Sequence, residues 1–189
     1  MTKILTNDEI NQFKKDGAVF LKGKFDIGWI EKLQAGIEKD IKNPSPRFKS
    51  HTIEKGIPAY LEDYWTWDLV PEFKDFVFNS PYAKIAAELM SAKKINLVMD
   101  NWFLREGGSK SSTPFHHDIS YFDMDGTMCV LWLPLQPTKK NEGVVWVRGS
   151  HLWNKFFLRV LFKDGHKICL LYTSPSPRDL STSRMPSSA

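Results

Sequence analysis

The chain has 189 residues, 42% hydrophobic and 25% charged, with a formal net charge of +4. These are the proportions of a soluble globular chain long enough for one domain with a substantial core, and they exclude a disordered or fibrous protein. Lysines lie in scattered pairs (Lys14-Lys15, Lys93-Lys94, Lys139-Lys140), a solvated surface rather than a nucleic-acid stripe, and no apolar run nears the roughly 20 residues of a membrane span.

Thr6-Asn7-Asp8-Glu9 has capping-box spacing, and Ile10 and Phe13 continue a helical pattern to Asp16, where Gly17 ends it. Ala18 to Leu21 reads as a strand. Asp26 is expected to cap a second amphipathic helix carrying Ile27, Ile30, Leu33, Ile37 and Ile41. Asn43 to Pro58 is polar and contains prolines, so it is expected to be a long loop. Pro71 and Pro81 suit the first turns of two short helices, the second running through Ala-rich Tyr82 to Met90. From Lys94 the pattern turns to strands: Ile95 to Arg105, Phe115 to Asp118, Met128 to Leu135 and Val144 to Val147. Asp125-Gly126 and Asn141-Glu142-Gly143 supply turn chemistry between them. A helical part (1–92) followed by consecutive strands (from 94) predicts an α+β fold with an antiparallel sandwich or barrel.

From Cys169 the composition changes. Residues 169–189 are dominated by Ser, Thr and Pro, and no strand or helix period runs through them. They read as a disordered linker or, more specifically, as a non-native tail: Cys169 to Asp179 and Ser183 to Ala189 resemble translated sequencing adapter. The domain is then expected to occupy 1–168 and to be incomplete at its C-terminus. Two cysteines, Cys129 and Cys169, form no disulfide framework, Met1-Thr2-Lys3 opens no secretory signal, and a reducing cytoplasm is the expected setting.

The most informative residues are His116-His117-Asp118. On an extended strand, side chains at i and i+2 share a face, roughly 6–7 Å apart along the chain. His116 and Asp118 could therefore grip one metal ion while His117 faces away, the alternative being a hydrogen-bonded His–Asp pair on a surface strand; His117 replaces His116 only if the strand bulges. Two histidines and one carboxylate on one face of an octahedral ion form the ligand set of non-haem Fe(II) oxygenases. Asp123 to Gly126 looks like the start of a calcium loop but lacks its remaining ligands.

Leu5-Thr6-x-x-Glu9-Ile10-x-x-Phe13-x-x-Asp16-Gly17 resembles the opening of phytanoyl-CoA dioxygenase family proteins. So, in order, do Pro114 to Phe122, Leu131-Trp132-Leu133-Pro134-Leu135, Asn141-Glu142-Gly143 and Arg148-Gly149-Ser150-His151. The resemblance implies a double-stranded β-helix (jelly-roll, cupin-like) core. It also implies Fe(II), with 2-oxoglutarate and O₂ as co-substrates, and hydroxylation of a small organic substrate. His116 and Asp118 match the family's first two iron ligands. Related halogenases have a small residue in place of the carboxylate, so Asp118 points to hydroxylation. Trp132 falls where the family has a pocket-lining Trp, and otherwise is a core aromatic. Asn101 lies where related side chains touch the co-substrate, and otherwise is a satisfied core amide. Tyr121 and Phe122 would pack beside the metal motif. Neither His151 nor His166 fits the distal-ligand pattern, and neither Arg105 nor Arg148 fits the arginine that would pair with 2-oxoglutarate. His51 is expected to be solvated. The distal histidine and that arginine are therefore expected beyond 168, and this chain is expected to turn over little by itself. The alternative is a non-catalytic small-molecule-binding jelly roll.

Overall fold

A computed structural model describes residues 3–51, 60–107, 113, 115–122, 124, 126–139, 142–153, 155–157 and 170–173. The chain forms two compact units: Met1–Ser111 with Cys129–Arg148, and Ser112–Met128 with Gly149–Ala189.

In the first unit, helix α1 (Asn7–Asp16) starts at the expected capping box. Thr6 Oγ1 accepts from Glu9 N, and Glu9 Oε2 accepts from Thr6 N. Gly17, at φ 78°, closes the helix in the left-handed conformation that glycine adopts without steric cost. Helix α4 (Tyr82–Leu89) packs against α1: Leu5, Ile85 and Leu89 are buried together, with Ile10 and Phe13 against them. Glu88 of α4 reinforces this contact by accepting from the backbone N–H groups of Ile4 and Leu5 at 2.8–3.1 Å. Pro81 stands at the N-cap of α4, one place before the first helical residue.

Helices α2 (Ile27–Lys42) and α3 (Pro71–Asn79) build the second core. Pro71 holds the first turn of α3, where a missing N–H costs nothing. Gly36 brings the two helices close: a Cβ on it would stand 2.5 Å from Cε1 of Phe73. Both helices pack on a three-stranded antiparallel sheet of β1 (Lys49–Ser50), β2 (Tyr60–Tyr64) and β3 (Asn101–Arg105), in that order. Leu61 pairs with Leu104 and Asp63 with Trp102, so these side chains share the face turned to the helices. Trp102 is buried with Val70 and Phe73, and Leu33, Ile37 and Leu61 pack around them. Tyr60, Glu62, Tyr64, Asn101, Phe103 and Arg105 take the opposite face.

The second unit contains strands β4 (Lys155–Phe157) and β5 (Leu170–Thr173), paired antiparallel. It also has single 3₁₀ turns at Asp118–Tyr121 and Ser150–Leu152.

Helices with a small antiparallel sheet agree with the α+β expectation, but a jelly roll is not assembled among the described residues. Ala18 to Leu21, Met128 to Leu135 and Val144 to Val147 form no ladder there, and Ile95 to Arg105 contracts to β3. Val130, Val145 and Trp146 all remain more than half exposed. An apolar alternation favours extended chain, but a strand also needs a partner to complete its hydrogen bonds. Conversely, β2 has no counterpart in the sequence pattern, because its most buried residue is the aspartate Asp63. The long loop expected over Asn43 to Pro58 contains β1; residues 52–59 lie outside the described residues. The expectation that no strand runs through 169–189 is corrected at Leu170–Thr173, where an apolar and β-branched quartet pairs with β4.

Candidate metal centre

His117 has extended backbone (φ −119°, ψ 110°), and Asp118 then opens a 3₁₀ turn. The carbonyl of His117 anchors that turn by accepting from Ser120 N at 3.1 Å and Ser120 Oγ at 2.6 Å. The expected strand over Phe115 to Asp118 is thereby corrected: the chain is extended as far as His117 and coils immediately after it. Ser120 competes for backbone bonding through its hydroxyl, which favours such a turn over a ladder.

This bend still brings His116 and Asp118 together. His116 Nε2 lies 2.9 Å from Asp118 Oδ1, both side chains being partly exposed at 28% and 37%. The His116 ring meets Tyr121 edge to face at 5.8 Å, and the His117 ring meets Phe157 in the same manner at 6.2 Å. The two imidazoles thus meet different rings, and His116 lies against the carboxylate. Two ligand atoms each about 2.1 Å from an octahedral ion, at adjacent vertices, are about 3.0 Å apart. The observed 2.9 Å is that of a hydrogen-bonded imidazole–carboxylate pair and is also compatible with that edge, and imidazole nitrogen with carboxylate oxygen is a donor pair suited to Fe(II). His116 and Asp118 therefore fit two positions of a facial site.

No group of three or more His, Cys, Asp or Glu side chains able to hold a metal occurs among the described residues. His151, on the turn Ser150–Leu152, does not complete such a group, and His166 lies outside the described residues. So do Asp123 and Asp125 of the calcium-loop lookalike. His51 is exposed, as expected, and is also paired: Nε2 lies 3.0 Å from Glu62 Oε1, and its ring lies tilted against Tyr60. An isolated loop histidine gives no sign of this, because its partners stand on β2.

Asn101 and Trp132 belong to the first unit. Asn101 begins β3 and is exposed, and Trp132 is 42% exposed, so neither is the buried core residue that the bland reading predicts. Arg105 covers the ring of Tyr60 at 4.5 Å, and Arg148 Nε lies 3.9 Å from Asp16 Oδ2. Tyr121 packs on the metal motif as expected. Ser120, which fixes the turn after His117, has a role that the motif alone does not suggest. Its signal is a hydroxyl three residues after the carbonyl that it bonds.

The phytanoyl-CoA dioxygenase (PhyH) family profile matches residues 13–186. The chain belongs to the phytanoyl-CoA dioxygenase family. Members of this family are dioxygenases with a cupin-like jelly-roll fold, generally dependent on Fe(II) and 2-oxoglutarate. The match includes part of the stretch after 168, in which β5 lies. No curated protein and no solved structure matches the chain.

Proposed function

We propose that the protein is an Fe(II)- and 2-oxoglutarate-dependent dioxygenase that hydroxylates a small organic substrate, built on the family's jelly-roll core. The observation that carries this reading is the 2.9 Å separation of His116 Nε2 and Asp118 Oδ1 within the family's motif. His116 contributes a neutral imidazole lone pair and Asp118 a carboxylate oxygen, which offsets one of the two charges of the ion. Tyr121, edge-on to His116, would limit rotation of the imidazole that would hold the ion. Ser120 holds the turn that keeps Asp118 next to His116. When bound, Fe(II) and 2-oxoglutarate supply the oxidative chemistry, releasing succinate and CO₂ while oxygen enters the substrate. By the family resemblance, the carboxylate at 118 would take the place that a halide takes in related halogenases, which favours hydroxylation. By the family resemblance alone, Asn101 and Trp132 are proposed to contact 2-oxoglutarate. The side-chain amide would hydrogen-bond the co-substrate, and the exposed indole would cover it and exclude water.

No described helix is long and apolar enough to cross a membrane, and Cys129 is a free thiol. The cytoplasm is proposed as the setting, as the sequence reading expects. The test is Fe(II)-dependent succinate release from 2-oxoglutarate by the full-length protein, since the 189-residue chain is expected to turn over little by itself, and by its His116→Ala and Asp118→Ala variants. The proposal expects release by wild type and its loss in both variants; equal release from all three would contradict it.

A further inference from the structure

Inside the first unit, the contact between α2 and the sheet contains two aspartates with almost no access to water. Asp40, on α2, is 3% exposed, and Asp63, on β2, is 0% exposed. Trp102 connects them: its indole Nε1 donates to Asp40 Oδ2 at 2.8 Å, and it is the direct cross-strand partner of Asp63. Side chains at such a position have Cβ atoms about 5 Å apart on one face. Asp63 accepts from Ser45 N at 3.0 Å, Ser45 Oγ at 2.7 Å and Tyr64 N at 2.8 Å.

The surrounding charges give these two acids no counter-ion. Lys39, beside Asp40 on α2, pairs with Glu72 of α3. Arg47, after the α2 helix, donates to the carbonyls of Tyr64 and Trp65. Asp100, ahead of β3, adds a third carboxylate, which accepts from Thr66 N and Thr66 Oγ1. Among the described residues neither Asp40 nor Asp63 has an ion pair. Two buried carboxylates grouped around one indole without a cation are unfavourable when both are ionised.

We propose that Asp40 and Asp63 share one proton in the folded protein, carried on Asp40, and that its loss loosens the packing of α2 on the sheet. Burial pushes the Asp40 carboxyl up, the Trp102 N–H opposes this, and the charge and hydrogen bonding of Asp63 and the charge of Asp100 push it further up. A protonated Asp40 can donate to Asp63 through one oxygen while its other oxygen accepts from Trp102. A cavity of about 360 Å³ opens beside Asp40 and Ser45, so the proton can exchange with solvent without unfolding. The contact is a pH-sensitive latch. A folded-state value raised above the ordinary aspartate value of about 3.9 means stability present below that value, and lost as pH rises through the folded one.

The test follows the indole N–H resonance of Trp102 against pH, assigned by its absence in Trp102→Phe. The latch expects a single step with a midpoint above the ordinary aspartate range, missing in Asp40→Asn. The asparagine keeps an acceptor for the indole and a donor for Asp63. In urea unfolding, the wild-type unfolding constant should rise relative to Asp40→Asn by up to about tenfold per pH unit between the two values. A resonance with no step above the ordinary aspartate range, a step that persists in Asp40→Asn, or parallel stability profiles would overturn the latch. Should Asp40→Asn fail to fold, the wild-type resonance alone decides.

Discussion

Replacing Gly36 by alanine sets helix propensity against packing at one position. In a helix interior, alanine is favoured over glycine by about 1 kcal/mol. At Gly36, however, the new Cβ would lie 2.5 Å and 3.0 Å from two carbons of the Phe73 ring and 3.1 Å from Glu72 Cβ. Phe73 cannot easily withdraw, since it is 6% exposed and packed with Val70 and Trp102. Forcing an added carbon into such a core costs about 1–3 kcal/mol. The net expectation is a loss of about 1 kcal/mol, with a range from near zero to about 2. Gly28, in the same helix, provides the internal control, because a Cβ there meets nothing within 4 Å. Gly28→Ala should stabilise by about 0.5 kcal/mol, less than an interior site because it stands in the first turn. Urea unfolding of the two variants and wild type, compared by midpoint at a common slope, gives the signs. Gly36→Ala as stabilising as Gly28→Ala would refute the close approach of α2 and α3.

Glu88→Gln should cost about 1–2 kcal/mol, because it weakens a charge-assisted acceptor of the Ile4 and Leu5 N–H groups; urea unfolding at neutral pH reads it. Burial raises the Glu88 carboxyl, but those two N–H groups, with Lys84 and Lys3, outweigh it and hold the group below its usual range. Its contribution should therefore be present above the unfolded glutamate value of about 4.3 and disappear as pH falls through the lower folded value, so the wild-type and Glu88→Gln stability profiles should converge in acid. Thr6→Ala removes one half of the capping box of α1 and should cost about 1 kcal/mol, seen as a lower thermal midpoint. Ser120→Ala, which removes the hydroxyl bond to the His117 carbonyl, should weaken metal binding several-fold without removing it, as titration would show.

The four helices were legible in the sequence because their signals are local: the Thr6–Glu9 box, Asp26 before α2, and Pro71 and Pro81 at the starts of α3 and α4. The Asp26 side chain makes no cap hydrogen bond, so there the residue type marked the boundary without the expected contact. Strands were less legible, since their hydrogen bonds depend on distant partners. β2 escaped because Asp63, satisfied by Ser45 and Tyr64, occupies the place of a core apolar residue. The pairing of His116 with Asp118 was legible from their spacing, but through a different backbone. An extended residue followed by a 3₁₀ turn, rather than a strand face, brings the two side chains together. The third ligand was not legible, because no other histidine stands in the right pattern, and no third group joins the pair among the described residues.

The central claim is that His116 and Asp118, and not His117, hold the metal. Titration of the 189-residue chain with Co(II), a coloured stand-in for Fe(II), followed by visible absorption and repeated for each alanine variant, tests it most directly. His116→Ala and Asp118→Ala should each weaken binding by at least about tenfold, and His117→Ala should leave it within about twofold. Unchanged binding in the first two variants, or an equal loss in His117→Ala, would contradict the account.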